Sequence, residues 1–127
     1  MSTVELEHAN ITVTDAKATA EELCRIFDWT IRWEGAAKDN GYSVHVGSKN
    51  SYLAVYTPGE PARPGTSRYT QLGHLNHVGV VVGDLDATEE RVKSAGYVPN
   101  NHGDYEPGRR FYFDNADGIE IEVMSYD

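Results

Sequence analysis

The sequence predicts an α+β fold made of two tandem βαβββ modules, and three observations lead to it. Residues Leu6-Glu7-His8-Ala9-Asn10-Ile11-Thr12-Val13 return as Leu75-Asn76-His77-Val78-Gly79-Val80-Val81-Val82, a shift of 77 − 8 = 69 positions. The shift persists toward the C-terminus of each copy, where Asp15, Ala18, Thr19 and Glu21 recur as Asp84, Ala87, Thr88 and Glu90. Each copy then passes from a helical hydrophobic period to β-prone runs separated by turn residues. Module one is expected over 3–57, a linker over 58–73 and module two over 74–126, together forming one small domain.

The elements come in a regular order. Val4 to Val13 alternates, with Leu6, Ile11 and Val13 apolar among polar neighbours, as a half-buried strand requires. Asp15 caps a helix over Ala16 to Phe27, whose Ala20, Leu23, Ile26 and Phe27 recur near the helical period. Thr30 to Trp33 is β-prone, and Tyr42 to Val46 and Tyr52 to Thr57 form two further strands split by Gly47-Ser48-Lys49-Asn50-Ser51. Pro58, Gly59, Pro61, Pro64, Gly65 and Gly73 punctuate the linker, whose length also suits a loop over a binding site. In the second copy Leu75 to Val82 reads as a strand, and Asp84 caps a helix to about Ala95 that Gly96 ends. Tyr97 to Pro99 is a short strand, while Arg110 to Asp114 and Ile119 to Met124 are stronger ones joined by Asn115-Ala116-Asp117-Gly118.

Composition narrows the partners. The 127 residues carry a formal charge of −9, which disfavours a nucleic-acid backbone or an anionic membrane surface. The single cysteine, Cys24, excludes an intramolecular disulfide and reads as a buried apolar residue of the first helix. The start of the chain lacks the basic segment and apolar run of a secretory signal, so a cytoplasmic location is expected. Trp29, Trp33 and Tyr42 are expected in the core or at a dimer seam. Gln71, His74 and His102 are expected on loops or at the surface, and Glu89 to Arg91 on the exposed side of the second helix.

Strand alternation gives the repeat a chemical meaning. His8, Asn10 and Thr12 share one face of their strand, His77, Gly79 and Val81 one face of theirs, and Glu120 and Glu122 one face of the last. The aliphatic faces can pack on the helices, leaving His8, His77 and Glu122 to line the other side. Overlaying Leu53-Ala54-Val55 on Ile121-Glu122-Val123 gives an offset of 122 − 54 = 68. A fully decorated pair of modules would therefore offer ligands at 8, 54, 77 and 122; this chain fills three, with Ala54 at the fourth. Two imidazoles and one carboxylate suit a divalent first-row ion (Mn, Fe, Ni, Co or Zn) that keeps open positions for water or a chelating substrate. Glu120, on the face of Glu122, is expected to meet solvent or to support the site, and stays open as an alternative ligand. His45 lies on a strand and could face the same side, but Phe111-Tyr112-Phe113 overlays Ser43-Val44-His45, and its mate Phe113 suggests the opposite face. Tyr52 and Tyr56 flank Ala54, whose small side chain would leave room for substrate. Arg110 shares a face with Tyr112 and can meet an anionic substrate group.

These residues resemble the vicinal oxygen chelate superfamily, which includes glyoxalase I, fosfomycin-resistance thiol transferases, extradiol dioxygenases and bleomycin-resistance proteins. The carriers are Leu6-Glu7-His8 before a capped helix, Leu75-Asn76-His77-Val78-Gly79-Val80, and Arg110-Phe111-Tyr112-Phe113 leading through Asp117-Gly118 to Ile121-Glu122-Val123. The resemblance implies a cupped mixed sheet around a divalent ion held by His8, His77 and Glu122, in a homodimer whose partner can supply His8. Its three-ligand pattern is nearest the fosfomycin-resistance enzymes. Those carry Thr where this chain has Asn10 and a basic segment that finds no counterpart here, though Tyr112 matches a tyrosine of their site. Four-ligand relatives have Glu or Gln where this chain has Ala54, which puts carboxylate-mediated proton transfer in doubt.

The expected function is metal-dependent Lewis-acid chemistry on a small oxygen-chelating substrate: a lyase, an isomerase or an addition to an electrophile, with a dioxygenase less favoured. Tyr56, Tyr112 and Asn10 are the candidates to orient substrate or move protons, and Tyr52, Ala54 and Arg110 to contact it. The rival reading is a metal-independent protein that sequesters a small aromatic compound or antibiotic. A domain used only for association is a third.

Overall fold

A computed structural model describes residues 4–65 and 69–127; residues 66–68, inside the expected linker, and residues 1–3 lie outside the described set. The chain forms two compact units, Met1–Arg63 and Pro64–Asp127, each a four-stranded mixed sheet with one helix.

The first unit runs β1 (His8–Thr12), α1 (Ala16–Phe27), β2 (Thr30–Ala37), β3 (Gly41–Gly47) and β4 (Tyr52–Thr57), with a single 3-10 turn at Lys38–Asn40 between β2 and β3. Its strand order is β1-β4-β3-β2, with β1 parallel to β4 and the other pairs antiparallel. The second unit runs β5 (Val78–Val81), α2 (Leu85–Ser94), β6 (Asn100–Tyr105), β7 (Gly108–Asp114) and β8 (Glu120–Ser125) in the order β5-β8-β7-β6, again with only the first pair parallel.

The helices start where the repeat places its aspartates. Asp15 accepts from the Ala18 amide at 3.1 Å, and Asp84 from the Ala87 amide at 3.0 Å. Each carboxylate satisfies an amide that the first helical turn leaves without a partner. On α1 the buried residues are Ala16, Ala20, Leu23 and Ile26, a stripe at helical spacing that packs on β2, β3 and β4. On α2 they are Leu85, Thr88 and Val92, facing β7 and β8. The alternate strand positions meet them: Ile11, Val44, Val46, Leu53 and Val55 in the first unit, and Val80, Phe111, Phe113, Ile121 and Val123 in the second. The β7–β8 turn is built by Asn115, whose side-chain oxygen accepts from the amides of Asp117 and Ile119, and by Gly118 at φ +78°.

Several expectations need correction. Residues 97–99 are not a strand; the extended segment is Asn100–Tyr105, which has no apolar alternation because it pairs with β7 alone at the sheet edge. Its register shifts between Asn100 and Gly103, and Asn101 takes φ +52°. β5 is shorter than expected and begins after His77, while β2 runs on to Ala37. Trp33 and Tyr42 are exposed rather than in the core of their unit, and Tyr42 donates to Glu34 at 2.6 Å. Cys24 is half-buried, because it lies beside the stripe of Leu23 and Ile26 rather than on it. No helix among the described residues is long and apolar enough to cross a membrane.

Burial and capping set the expected stability changes. Phe111 is fully buried, so Phe111→Ala should cost about 3–5 kcal/mol in urea unfolding. Asp84→Ala should cost about 1 kcal/mol, through the lost cap alone, with an unchanged m-value.

Candidate functional site

In the second unit the register brings one chain of polar groups together. β5 and β8 pair Gly79 with Glu122, and β7 and β8 pair Tyr112 with Glu122. His77, just ahead of β5, turns its Nε2 to Glu122 Oε1 at 3.1 Å. The other carboxylate oxygen, Oε2, accepts from Arg110 Nη1 at 3.0 Å. Tyr112 stands opposite Glu122 in the register, and its ring meets His77 edge-on at 6.1 Å. Burial and the neighbouring Glu122 carboxylate push the Tyr112 phenol above its ordinary range.

The two histidines are set in the same way by their preceding residues. His77 Nδ1 faces Asn76 Oδ1 at 2.7 Å, and His8 Nδ1 faces Glu7 Oε1 at 2.9 Å. An oxygen acceptor beside Nδ1 favours the tautomer with its proton there, which leaves Nε2 directed elsewhere. At His77 this has a consequence. Nε2 also faces an oxygen, an arrangement satisfied either by a second ring proton, as an imidazolium–carboxylate pair, or by a cation between the two groups. The donor chemistry thus fits a divalent ion at His77 Nε2 and Glu122 Oε1. No cluster of three or more His, Cys, Asp or Glu side chains with metal-holding geometry occurs among the described residues. His8 belongs to the first unit, on β1.

Arg110 is anchored along its length. Its Nη2 donates to the carbonyls of Gly108 at 3.3 Å and Tyr105 at 3.5 Å, and its guanidinium lies 4.4 Å from the Tyr105 ring centroid. Its Nε–H is buried and meets no acceptor among the described residues. Glu120, expected to meet solvent or support the site, is buried on the Glu122 face and accepts from the Tyr69 hydroxyl. A cavity of about 240 Å³ lies between α2 and the β6–β7 pair, lined by Leu85, Glu89, His102, Asp104 and Arg109; His102 and Glu89 pair across it at 2.6 Å.

The first unit carries rings where the second carries charges. β1 and β4 pair His8 with Tyr52 and Asn10 with Ala54, and β3 and β4 pair His45 with Ala54. His45 therefore shares the His8 face, contrary to the overlay with Phe113. The register equates it with Tyr112 instead, at 112 − 45 = 67, one less than the 68 that relates Ala54 to Glu122. A row of rings crosses the sheet: His8 on Tyr52 at 4.8 Å, Tyr52 on His45 at 4.6 Å, and His45 against Trp33 at 5.0 Å. Arg32, the bulged residue of β2, stands 4.6 Å from the Tyr52 centroid. Tyr56 donates its hydroxyl proton to the Lys38 carbonyl at 2.7 Å, which ties it to the β2–β3 turn. Ala54 is buried and Asn10 exposed. Sequence reasoning missed Tyr69 and Tyr105, which no repeat or motif marks, and misplaced His45.

His45 generates a pH expectation. Burial, then the nearby His8 and Arg32, lower its pKa, with Glu7 opposing. The unfolded chain then binds the proton more readily than the folded one, so stability falls as pH drops through 6.5 toward the lower folded value. Urea midpoints from pH 7.5 to 5 should fall less steeply in His45→Gln than in the wild type; equal slopes would remove His45 from the acid response.

A family model described as the Glyoxalase/Bleomycin resistance protein/Dioxygenase superfamily matches residues 5–123. Among solved structures, a glyoxylase/bleomycin resistance protein/dioxygenase domain from Frankia sp. EAN1pec is 21% identical over 98% of each chain, with a TM-score of 0.82. The fosfomycin resistance protein FosX from Mesorhizobium loti is 19% identical over 97% of this chain and 92% of its own, with a TM-score of 0.70. FosX from Listeria monocytogenes, complexed with Mn(II) and sulfate, is 16% identical over 98% and 93%, with a TM-score of 0.72. No curated protein matches the sequence. With 119 of 127 positions spanned by the family model (123 − 5 + 1 = 119), two βαβββ modules in the expected order and solved relatives of the same fold, the chain belongs to the Glyoxalase/Bleomycin resistance protein/Dioxygenase superfamily.

Proposed function

We propose that the protein is a divalent-metal-dependent enzyme acting on a small, oxygen-chelating substrate, with His8, His77 and Glu122 as the metal ligands. The observation that carries this reading is the confrontation of His77 Nε2 with Glu122 Oε1 at 3.1 Å while Nδ1 is already committed to Asn76. A cation can take the place of a second ring proton between the two groups and use both as donors. The matching Glu7–His8 contact prepares His8 for the same role. The Mn(II) complex of the Listeria relative supports a divalent ion without choosing among Mn, Fe, Ni, Co and Zn.

When bound, such an ion polarises a chelated oxygen and stabilises developing negative charge on it. The chain's own groups do the rest. Tyr112, whose phenol is held protonated through neutrality, can donate to a substrate oxygen beside Glu122. Asn10 offers an amide on the His8 face, opposite the small side chain of Ala54 in the register. Tyr52 presents an edge, because its ring is stacked between His8 and His45. Tyr56 is better read as a brace than as a proton donor, since its hydroxyl already serves Lys38. These roles fit a lyase, an isomerase or an addition to an electrophile. A homodimer and a cytoplasmic setting complete the reading.

The row His8–Tyr52–His45–Trp33 favours a second reading, metal-independent sequestration of a planar aromatic compound. One experiment separates the two. Calorimetric titration with Mn²⁺ or Co²⁺ should find one ion per chain in the wild type. His77→Ala and Glu122→Ala should each weaken uptake by about 100-fold or more, since each removes a ligand outright. Protein that takes up no divalent ion yet still binds planar aromatics would leave sequestration as the function.

A further inference from the structure

We propose that Arg110 is a positioning residue for the metal site: it holds Oε2 of Glu122 so that the carboxylate meets the ion through Oε1 alone, and it offsets part of the charge that the carboxylate presents. The inference rests on the reading of Glu122 as a ligand.

The geometry divides the labour of the carboxylate. Oε1 faces His77, and Oε2 accepts a hydrogen bond from Arg110 Nη1 at 3.0 Å. The guanidinium is not free to leave, since two backbone carbonyls accept from Nη2 and the Tyr105 ring lies against it. Both side chains are 10% exposed, so solvent screens the pair little. Burial alone would favour loss of the arginine's proton, but Tyr105, Glu122 and Tyr112 together hold its pKa above the ordinary value, and the charge is permanent.

The other module supplies an internal control. Register equates Arg110 with Ser43, since Arg110 pairs with Met124 and Ser43 with Tyr56, just as Tyr112 pairs with Glu122 and His45 with Ala54. On these sheets Arg110 and Glu122 are diagonal neighbours, and so are Ser43 and Ala54. Where the carboxylate is replaced by a methyl group, the arginine is replaced by a hydroxymethyl. A surface arginine kept for solubility has no reason to track its diagonal neighbour in this way. One kept to serve Glu122 does.

The consequence is a site that binds its ion more weakly than the ligand set alone would allow. Removing the guanidinium leaves a buried carboxylate uncompensated, and a cation becomes its best partner. Loss of packing would instead loosen the ligands and weaken binding, so the direction of change separates positioning from mere structure.

The test is calorimetric titration of Co²⁺ into the wild type and into Arg110→Met and Arg110→Lys, each checked by thermal melting. Arg110→Met should bind about tenfold more tightly, the scale expected for losing one nearby positive charge. Arg110→Lys, which keeps the charge, should stay near the wild type. If Arg110→Met does not fold, Arg110→Gln, which retains a hydrogen-bond donor, takes its place with the same expectation. A neutral variant that binds equally or more weakly overturns the inference while leaving the metal reading intact. Failure of the wild type itself to take up cobalt overturns both.

Discussion

The constraint on which this molecule depends is that each four-stranded sheet has one face sealed by a helix. Strand side chains alternate with a period of two, so a one-residue slip would carry every buried aliphatic to water and every polar group into the core. Covering one face with α1 or α2 therefore fixes register across all four strands, and with it the composition of the other face. That is why Ile121 and Val123 reach the α2 side while Glu122, between them, lies with His77, Tyr112 and Arg110. The polar chain is held by the same pairing that makes the core.

Glu122 is buried and charged, which demands partners. Among the described residues it has an imidazole nitrogen and a guanidinium as partners, with Tyr112 opposite it in the register, all from the second unit. The corresponding point of the first unit is Ala54, and there the neighbours are rings rather than charges. A methyl group needs no ionic support, so that face could evolve as a stack. Tyr52 occupies the place matching Glu120 (120 − 52 = 68), again a ring for a carboxylate. The duplicated modules have thus specialised in opposite directions from a shared histidine, one toward charge and one toward aromatic contact.

Most of the scaffold was legible in the sequence, for definite reasons. The helices were readable because Asp15 and Asp84 cap them and their apolar stripes keep the helical period. β3, β4, β7 and β8 were readable because they bury one face. β6 was not, since NNHGDY has no apolar alternation, a bulge and a positive φ at Asn101, and one bonded neighbour. Equivalent positions of the two modules were legible where the offset between them is visible, at His8 and His77 and at Ala54 and Glu122. It failed at His45 because a third offset, 67, applies to β3 and β7. A single-residue difference in loop length leaves no mark in composition, yet it exchanges the two faces of a strand. Tyr69 on Glu120 and Tyr105 under Arg110 are contacts between segments with no shared period, which only folding brings together.

The two tyrosines expected to move protons differ in what each hydroxyl serves. Both lie on the polar face of an inner strand, and from the sequence they are interchangeable. Tyr56 spends its one proton on the Lys38 carbonyl, and its ring packs over Gly41, so its hydroxyl closes the β2–β3 turn. Tyr112 stands opposite Glu122 in the β7–β8 register, beside a carboxylate that also faces a histidine and an arginine. Glu122 keeps Arg110 as a partner whichever way that hydroxyl turns. The Lys38 carbonyl also accepts from the Gly41 amide, so Tyr56 is held by its hydrogen bond and by the packing of its ring over Gly41 together. The two phenols therefore differ in their surroundings rather than in themselves, one braced against a turn and one beside a carboxylate, and that difference is the ground for proposing Tyr112 over Tyr56 as the proton donor.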